Sequence, residues 1–462
     1  MRRFASIFFL AAALFLSGCQ VMQRLPIPFK DRLVGKGAKT AEPKNVKLVY
    51  WGLWEPEEVM RPVIEQYQNL YAQKNPGSSV TVEYLRRLPS GHRETVQSSI
   101  RSGQGPDIFR FHNTWVPMLR EELAPLPQTI IPNSEYEAAF YPVTKTDLLV
   151  GNSYVGIPLM FDGLVLFYNE DLFQAAGINT PPTSWDELRT LAKKLTVIDS
   201  NSGVINVAGV ALGTAANVDH FSDILGLMML QNKADLRDLT DELAQDALRF
   251  YTILAVEDRV WDETMPPSIE AFATGRVAMI FAPSWRVHNI KEASPELRFR
   301  TAPIPQLPGS TVTWASYWVE GVSSRSPYQA EAWDFLKFLS QKETLRRMYT
   351  EAAKLPNRLF GEPYPRRDMA DSLLNEPFVG SLIEGAPTAK SWYFASRTFD
   401  GGINDRLVKT LEDAVNGVLR GAPYVDNQAY VAGVNQALTQ AQQNAANILS
   451  QYNIQTPGTT SR

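Results

Sequence analysis

Alternating strand-like and helix-like patterns of apolar residues open the body of this sequence. Residues 46–51 and 80–85 are rich in β-branched and aromatic side chains, which is typical of strands. Between them, apolar residues recur at helical spacing over 59–73. A polar helix is predicted over 92–101 and a third strand over 107–111. Short connections between such elements predict parallel strands with right-handed crossovers, and therefore an α/β fold.

Aromatic and polar side chains follow two of these strands. Trp54 and Glu55 come after the first strand, and His112, Asn113 and Trp115 come after the third. Ligands of open parallel sheets lie beyond the carboxyl ends of the strands, where both loops are expected to meet. Because a strand-end loop does not need tryptophan to form a core, we expect Trp54 and Trp115 to face a ligand.

A second α/β block follows. Strand patterns over 154–159 and 164–168 flank a short turn, and Ser184 predicts the N-cap of a later helix with Glu187 at the capping-box position. A further buried strand leads directly to Trp285, again an aromatic side chain just beyond a strand. The C-terminal part is predicted to be helical, because apolar residues recur there at four-residue steps.

Composition narrows the class of protein. A chain of 462 residues corresponds to about two or three domains, and 44% hydrophobic with 20% charged residues is typical of a soluble globular protein. Asp and Glu (49) outnumber Lys and Arg (45), which argues against a nucleic-acid partner. One cysteine excludes disulfides within the chain, and four scattered histidines argue against a metal site. We therefore expect no metal and no cofactor.

The N-terminus has the features of an export signal. Arg2 and Arg3 precede an apolar run over 4–16, which is too short for the ~20 residues of a membrane-spanning helix. The sequence Leu-Ser-Gly-Cys then ends at Cys19 and resembles a bacterial lipobox. An ordinary secretory signal is the alternative, but the chain's one cysteine falls at the lipidation position. Residues 1–18 are thus predicted to be a lipoprotein signal peptide and 19–44 a lipid-anchored tether, with the protein facing the extracytoplasmic space.

Several segments, taken in order, resemble the extracellular solute-binding protein family 1, the carbohydrate-type binding subunits of ABC importers. They are Gly-Pro-Asp-Ile at 105–108, Tyr-Val-Gly-Ile-Pro at 154–158, Leu-Phe-Tyr-Asn-Glu-Asp-Leu-Phe at 166–173, Ala-Ala-Gly at 175–177, Pro-Thr-Ser-Trp-Asp-Glu-Leu at 182–188, and the stretch 272–285. The resemblance implies an α/β, two-lobed periplasmic-binding-protein-like fold of type II, with hinged lobes around a central cleft. It also implies a monomer that captures a sugar or oligosaccharide and delivers it to a membrane permease without catalysis.

The same resemblance assigns the chain to two lobes that it crosses between three times. The N-terminal lobe would hold residues 45–160 and 305–356, and the C-terminal lobe residues 161–304 and 357–462. The solute would lie between the lobes, and hinge closure around it would depend on its higher affinity for the closed state.

Sugar chemistry, together with the positions that match the family, predicts the residues of the binding site. Aromatic rings cover the apolar face of a pyranose, and carboxylates or amides bind its hydroxyl groups. Glu55, Asn113 and Asp162 are the predicted hydroxyl acceptors, with His112 beside them. The predicted stacking platforms are Trp54, Trp115, Phe161, Trp285, Trp314, Tyr317, Trp318, Trp392 and Tyr393. Alternation predicts that one of Tyr317 and Trp318 faces the cleft and the other the core.

Other functions stay open at this point. Arg286 and Arg397 are consistent with an acidic sugar or with surface ion pairs. The chain could bind a polyamine or a peptide, with carboxylates and aromatic rings enclosing an amine. It could also be a membrane-anchored carbohydrate-active enzyme using two carboxylates, although the nucleophile-elbow and zinc-protease motifs are absent from the sequence. A sensor that reports to a signalling receptor is a further alternative.

Overall fold

The computed structural model describes residues 44–457, so the predicted signal peptide, Cys19 and all but the last residue of the predicted tether lie outside the described residues. The strands in this range are β1 (Asn45–Gly52), β2 (Ser79–Arg86), β3 (Ile108–His112), β4 (Leu149–Val150), β5 (Ser153–Tyr154), β6 (Ile157–Pro158), β7 (Leu164–Asn169), β8 (Val197–Ile198), β9 (Ile205–Val210), β10 (Val277–Pro283), β11 (Phe299–Ala302), β12 (Thr313–Trp314), β13 (Trp318–Val322) and β14 (Ala389–Lys390).

Helices fill most of the remaining chain. They are α1 (Glu57–Lys74), α2 (His92–Arg101), α3 (Val116–Leu119), α4 (Asn133–Ala139), α5 (Val143–Leu148), α6 (Glu170–Ala175), α7 (Trp185–Leu195), α8 (Phe221–Gln231), α9 (Glu242–Val256), α10 (Ser268–Ala273), α11 (Arg286–Ala293), α12 (Gln329–Leu339), α13 (Lys342–Ala353), α14 (Gly380–Gly385), α15 (Ile403–Gly421) and α16 (Asn427–Ser450). Between residues 44 and 457, no helix combines the length and the apolar character that crossing a membrane requires.

The first sheet has the strand order β2-β1-β3-β13-β6. Its β1 pairs in parallel with both β2 and β3, as the sequence pattern predicts, whereas β13 runs antiparallel to β3 and β6. Helices α1, α12 and α13 pack together beside this sheet. The Tyr67 ring of α1 lies 4.8 Å from the Phe335 ring of α12, so the apolar stripe of α1 faces the core.

The second sheet has the order β11-β7-β10-β9-β8. Its β10 is parallel to β9 and antiparallel to β7. Helix α7 packs on β9 and begins as predicted, because the Ser184 hydroxyl oxygen accepts a hydrogen bond from the Glu187 backbone N–H at 3.2 Å. The Glu187 carboxylate reaches the backbone N–H of Thr183, one residue before the expected capping-box partner.

Two sheets with separate sets of helices give the chain two lobes, which confirms the two-lobed α/β prediction. The chain leaves the first sheet after β6, builds β7 to β11 in the second, and returns to the first at β13. The short pair β12–β14 joins the returning segment to the stretch before α15. Helices α15 and α16 pack on each other and on α9, so the C-terminal helices belong with the second sheet.

Candidate functional site

The carboxyl edge of the first sheet faces the chain that leads into α15. Asn113, just beyond β3, donates from Nδ2 to the Ser391 hydroxyl at 3.1 Å. The neighbouring Thr114 hydroxyl donates to Asn404 Oδ1 at 3.0 Å. Since α15 packs on α8 and α9, these bonds join the first lobe to the second. The loop after β3 therefore lies at the boundary between the lobes.

Four predicted stacking platforms are fully enclosed by protein. Trp115, Phe161, Trp314 and Tyr317 are each exposed by 1% or less. Trp314 packs against α8, where its Nε1 donates to a carboxylate oxygen of Asp223 at 2.9 Å. A ring can stack on a sugar only through an open face. The burial of these four rings gives them packing roles in place of the predicted stacking roles.

The other five predicted stacking residues have partly exposed side chains. Trp54 and Trp318 meet edge to face, with ring centroids 5.6 Å apart, at the carboxyl edge of the first sheet. Trp392 and Tyr393 form a second pair with centroids 4.7 Å apart. Trp285, after β10, is the most open of the five at 37% exposure. Of the two alternating residues considered above, Tyr317 is thus in the core and Trp318 is the partly exposed one.

The polar candidates of the first lobe are already engaged by protein groups. Glu55 accepts a hydrogen bond from Arg110. Asn113 also donates to Asp147 at 2.9 Å, and its oxygen accepts from the Tyr317 backbone N–H. The His112 ring nitrogens contact the hydroxyls of Thr114 and Ser316, and burial lowers the pKa of His112 to about 3, so the ring is neutral.

These three side chains hold the sheet-end loops in place. All three are at least 95% buried, and the partners just described use one oxygen of Glu55 and the hydrogen-bonding groups of His112 and Asn113. A sugar hydroxyl would have to displace the partners of His112 and Asn113 in order to bind, and burial restricts its access to Glu55. Their role as hydroxyl acceptors is therefore not supported by this geometry, and we treat them as positioning residues.

Asp162 positions Trp285. It lies between β6 and β7, where the chain crosses between the sheets, and its carboxylate accepts from the Gly163 and Ser284 backbone N–H groups at 2.7 and 2.9 Å. It also accepts from the Ser284 hydroxyl at 3.0 Å and from the Trp285 backbone N–H at 3.3 Å. Burial raises the pKa of Asp162 to about 7. Asp162 thus fixes the exposed tryptophan to the crossover.

Sequence reasoning missed a buried ionic cluster in the first lobe. Arg110, exposed by 1%, donates to Glu55 and to Glu320, and the Tyr50 hydroxyl donates to the same Glu320 oxygen at 2.7 Å. Two carboxylates therefore share one guanidinium. The other oxygen of Glu320 is buried and has no hydrogen-bond partner in the described part of the chain. The signal available in the sequence was a charged residue in the middle of the apolar strand β3.

A second ionic cluster lies beside Trp285. The Arg286 guanidinium carbon lies 4.3 Å from the centre of the Trp285 ring. Arg286 also donates from Nε to His220 Nε2 at 3.2 Å and from Nη2 to Asp219 Oδ1 at 3.4 Å. Arg397 donates to the same Asp219 oxygen. Both arginines therefore form ion pairs, which is one of the two interpretations that the sequence allows. They pair with a single carboxylate, next to a partly exposed ring.

A separate groove of about 850 Å³ lies between α15 and α16. Small and amide side chains line it, among them Gly417, Gly433, Ala437, Gln440 and Asn444. It contains none of the predicted site residues. Within residues 44–457, no group of three or more histidine, cysteine or carboxylate side chains could hold a metal ion.

Comparison with known proteins finds a matching family. The model described as bacterial extracellular solute-binding protein matches residues 54–344. A putative binding protein of Brucella abortus (strain 2308) is 24% identical over 294 residues, which cover 61% of this chain and 69% of the relative. The maltotriose-binding protein of Pyrococcus abyssi is 20% identical over 346 residues, covering 71% of this chain and 70% of the relative.

Solved structures show the same fold. The sugar-binding protein MalE from Xanthomonas citri matches with a TM-score of 0.68 and 19% identity, over 88% of this chain and 100% of that one. The cyclo/maltodextrin-binding protein complexed with maltotetraose matches with a TM-score of 0.64 and 18% identity, over 89% of this chain and 98% of that one.

Proposed function

Because this chain belongs to the bacterial extracellular solute-binding protein family, we propose that it is the extracytoplasmic solute-binding subunit of an ABC importer. It captures a sugar or oligosaccharide between its two lobes and delivers it to a membrane permease. The protein binds its solute and releases it unchanged, so its function needs neither catalysis nor a cofactor.

The observation that carries the sugar assignment is Trp285. Its ring is partly exposed, and its backbone N–H donates to Asp162 at the crossover between the sheets. A pyranose presents an apolar face of C–H groups, and an indole that covers it gains about 25 cal/mol per Å² of apolar area buried. Trp54 and Trp318 offer similar surface at the edge of the first sheet, so a solute in the cleft would meet aromatic rings from both lobes.

The relatives support the same class of solute. Proteins of similar sequence are named for binding maltotriose and maltodextrin. Proteins of similar fold have been solved with tagatose, maltotetraose and mannotriose bound. These ligands range from a monosaccharide to a tetrasaccharide, so they support the class without fixing the length of the solute.

Opening and closing of the lobes would expose and enclose the solute. Besides the bonds of Asn113 and Thr114, Arg93 of α2 donates from Nε to the backbone oxygen of Asp400 at 2.6 Å. These inter-lobe bonds would break when the lobes separate. A solute can favour the closed state only by the difference between its affinities for the two states.

Attachment to the membrane through Cys19 is part of the proposal. Each acyl CH₂ group buried in the bilayer contributes about 0.8 kcal/mol, so several chains on one cysteine would give a stable anchor. The receptor would then be an exported monomer held at the extracytoplasmic face of the cell membrane, near its permease.

Two alternatives fit the geometry less well. A polyamine would meet the guanidinium groups of Arg286 and Arg397 next to Trp285, and like charges repel. A glycoside hydrolase needs two carboxyl groups free to act on the substrate. Here Glu55 and Asp162 are occupied by Arg110 and by the loop of Ser284.

A thermal-shift panel of sugars, polyamines and peptides tests the proposal. A sugar present at about 100 times its dissociation constant should stabilise the protein by about 2.7 kcal/mol, and polyamines and peptides should not. Mass spectrometry after prolonged incubation should recover the bound oligosaccharide intact. Stabilisation by polyamines or peptides alone would contradict sugar binding, and a cleaved oligosaccharide would establish an enzyme.

A further inference from the structure

The ionic cluster beside Trp285 has more cationic than anionic groups. Arg286 and Arg397 both donate to Oδ1 of Asp219, while Oδ2 of Asp219 accepts from the Ser268 hydroxyl and the Ile269 backbone N–H. One carboxylate oxygen therefore serves two guanidinium groups. A guanidinium has five N–H donors, so a single shared oxygen leaves most of them without a charged partner.

The neighbouring carboxylate, Asp223, reaches the cluster only through His220, whose Nδ1 lies 3.8 Å from an Asp223 oxygen and whose Nε2 accepts from Arg286. Asp223 accepts hydrogen bonds from Trp314 Nε1 and from the Ser396 backbone N–H, and it is 1% exposed. In the described part of the chain, neither arginine forms an ion pair with it. Asp223 thus supports the Ser396 backbone, and Arg397 follows directly in the chain.

Exposure distinguishes the two guanidinium groups. The Arg397 side chain is 40% exposed and has no hydrogen-bond partner other than Asp219 among residues 44–457. The Arg286 side chain is 11% exposed and lies against the partly exposed Trp285 ring. Burial and the charge of Arg397 together lower the pKa of Arg286 to about 10, and the opposing effect of Asp219 is smaller. The two cations are therefore incompletely compensated by the protein.

The first lobe carries an arginine–tryptophan contact of the same kind. Exposed Arg87, immediately after β2, lies 4.5 Å from the centre of the Trp51 ring, and the described residues offer it no ion-pair partner. Because β1, β2 and β3 are parallel, Arg87 lies at the same carboxyl edge as Asn113, which contacts the second lobe. Both lobes thus place an arginine against a tryptophan at a sheet edge, in a chain whose net charge is −4.

We infer that the solute is an acidic saccharide, whose anionic group binds the guanidinium groups of Arg286 and Arg397 while its ring packs against Trp285. This inference rests on the proposed function. A planar guanidinium binds carboxylate, sulfate or phosphate oxygens in pairs, and such charge-assisted bonds are about twice as strong as neutral ones. The donors that Asp219 leaves unused are then supplied with an acceptor by the solute.

Calorimetric titration with matched pairs of sugars tests this inference. Trigalacturonate and its methyl ester share one saccharide backbone and differ at the carboxyl groups, which are charged in the acid and neutral in the ester. Sialyllactose, which adds an acidic residue to lactose, is compared with lactose. A sulfated galactose disaccharide and its unsulfated form separate sulfate from carboxylate as the anion. The variants are Arg397→Gln and Arg286→Gln. Arg300→Gln on β11 is the matched control, because Arg300 also has one carboxylate partner, Glu170 at 2.8 Å.

We expect the acidic member of at least one pair to bind at least ten-fold more tightly than the neutral member. Arg397→Gln should weaken that binding about ten-fold, which corresponds to about 1.4 kcal/mol, and should leave the neutral sugar unaffected. Arg300→Gln should change neither affinity. Arg397 is well exposed, so this variant should fold like the parent protein, and circular dichroism checks that it does.

The contrary outcomes separate the two proposals. Equal or tighter binding of the neutral sugars would overturn the acidic solute and leave the sugar receptor intact. Unchanged acidic-sugar affinity in both arginine variants would also overturn it, because the anion would then bind elsewhere. If no saccharide of either charge binds, the sugar-receptor function fails, and the acidic solute fails with it.

Discussion

The ionic cluster around Arg110 in the first lobe and the cluster around Asp219 in the second lobe have opposite compositions. In the first lobe, Glu55 and Glu320 share the guanidinium of Arg110, and all three residues are exposed by 5% or less. In the second lobe, Arg286 and Arg397 share the carboxylate of Asp219 beside a partly exposed ring.

The difference indicates which cluster is structural and which can bind. Burying an ion removes its hydration, and the cost is offset only when protein partners surround it. Arg110, at the centre of the first cluster, is surrounded by such partners, and the cluster is closed to solvent. The cluster of Asp219 leaves guanidinium donors free at a partly exposed position. An unequal number of positive and negative groups in the interior therefore makes stability depend on the shared partner. The same inequality near solvent leaves groups that can bind a ligand of the opposite charge.

The largest expected effect is on the buried cluster. Arg110→Met would leave Glu55 and Glu320 buried without a cation, and the free energy of unfolding should fall by about 3–5 kcal/mol. Urea unfolding followed by circular dichroism measures this loss. Arg300→Met, at an exposed ion pair, should change stability by less than about 1 kcal/mol and serves as the control. A loss equal to that of the control would show that Arg110 is not the structural centre of the first lobe.

The positions of Arg110 and its partners in the chain explain why the buried cluster could not be predicted from the sequence. Arg110 and Glu320 are directly opposed in the antiparallel pairing of β3 with β13, although 210 residues separate them. Local sequence patterns were sufficient to predict helix α2, which begins and ends at the predicted residues. They could not show that a strand from a distant part of the chain lies beside β3.

The same pairing decides which tryptophans are exposed. Trp54 and Trp115 occupy equivalent places after β1 and β3, so the sequence predicts one role for both. In the structure, Trp318 from the start of β13 packs edge to face on Trp115, with centroids 5.2 Å apart, and helps to enclose it. The sheet edges of the proposed site could therefore be predicted from local patterns, but the burial of each ring depends on long-range packing.

The next largest effect is expected at the open cluster. Trp285→Ala should weaken sugar binding by about 1–3 kcal/mol with little loss of stability, because the ring is partly exposed. Calorimetry measures the affinity and thermal unfolding measures the stability. Leu359→Ala, which removes another exposed apolar side chain, should alter neither. Unchanged affinity together with a collapsed melting temperature would make Trp285 a core residue.

Asp162, which links the crossover to Trp285, should give stability a characteristic pH dependence. Its carboxyl pKa is raised from 3.8 to about 7 in the folded protein, so the folded state holds the proton more tightly than the unfolded chain. Its contribution to stability is therefore largest at low pH and declines as the pH rises to about 7, by at most about 1.4 kcal/mol per pH unit.

Asp162→Asn removes this titration. The stability of the parent protein minus that of the variant should therefore fall between about pH 5 and pH 7 and become constant above pH 7. Urea unfolding at a series of pH values gives this difference. A difference that rises with pH would mean that the surrounding N–H groups keep the folded carboxylate ionised, contrary to the raised pKa.

The smallest effect completes the comparison of the clusters. Arg397→Gln removes a guanidinium that is 40% exposed, so the free energy of unfolding should change by less than about 1 kcal/mol. Its effect on stability should be several-fold smaller than that of Arg110→Met in parallel urea titrations. Losses of similar size would remove the distinction between a structural and a binding cluster.

The central claim is that the solute lies between the sheet edges of the two lobes, against Trp285. A crystal structure of the protein purified with the solute acquired in its native host tests this claim most directly. We predict density for a saccharide in contact with the Trp285 ring, with an acidic group facing Arg286 and Arg397. Density in the groove between α15 and α16, with Trp285 uncovered, would contradict it.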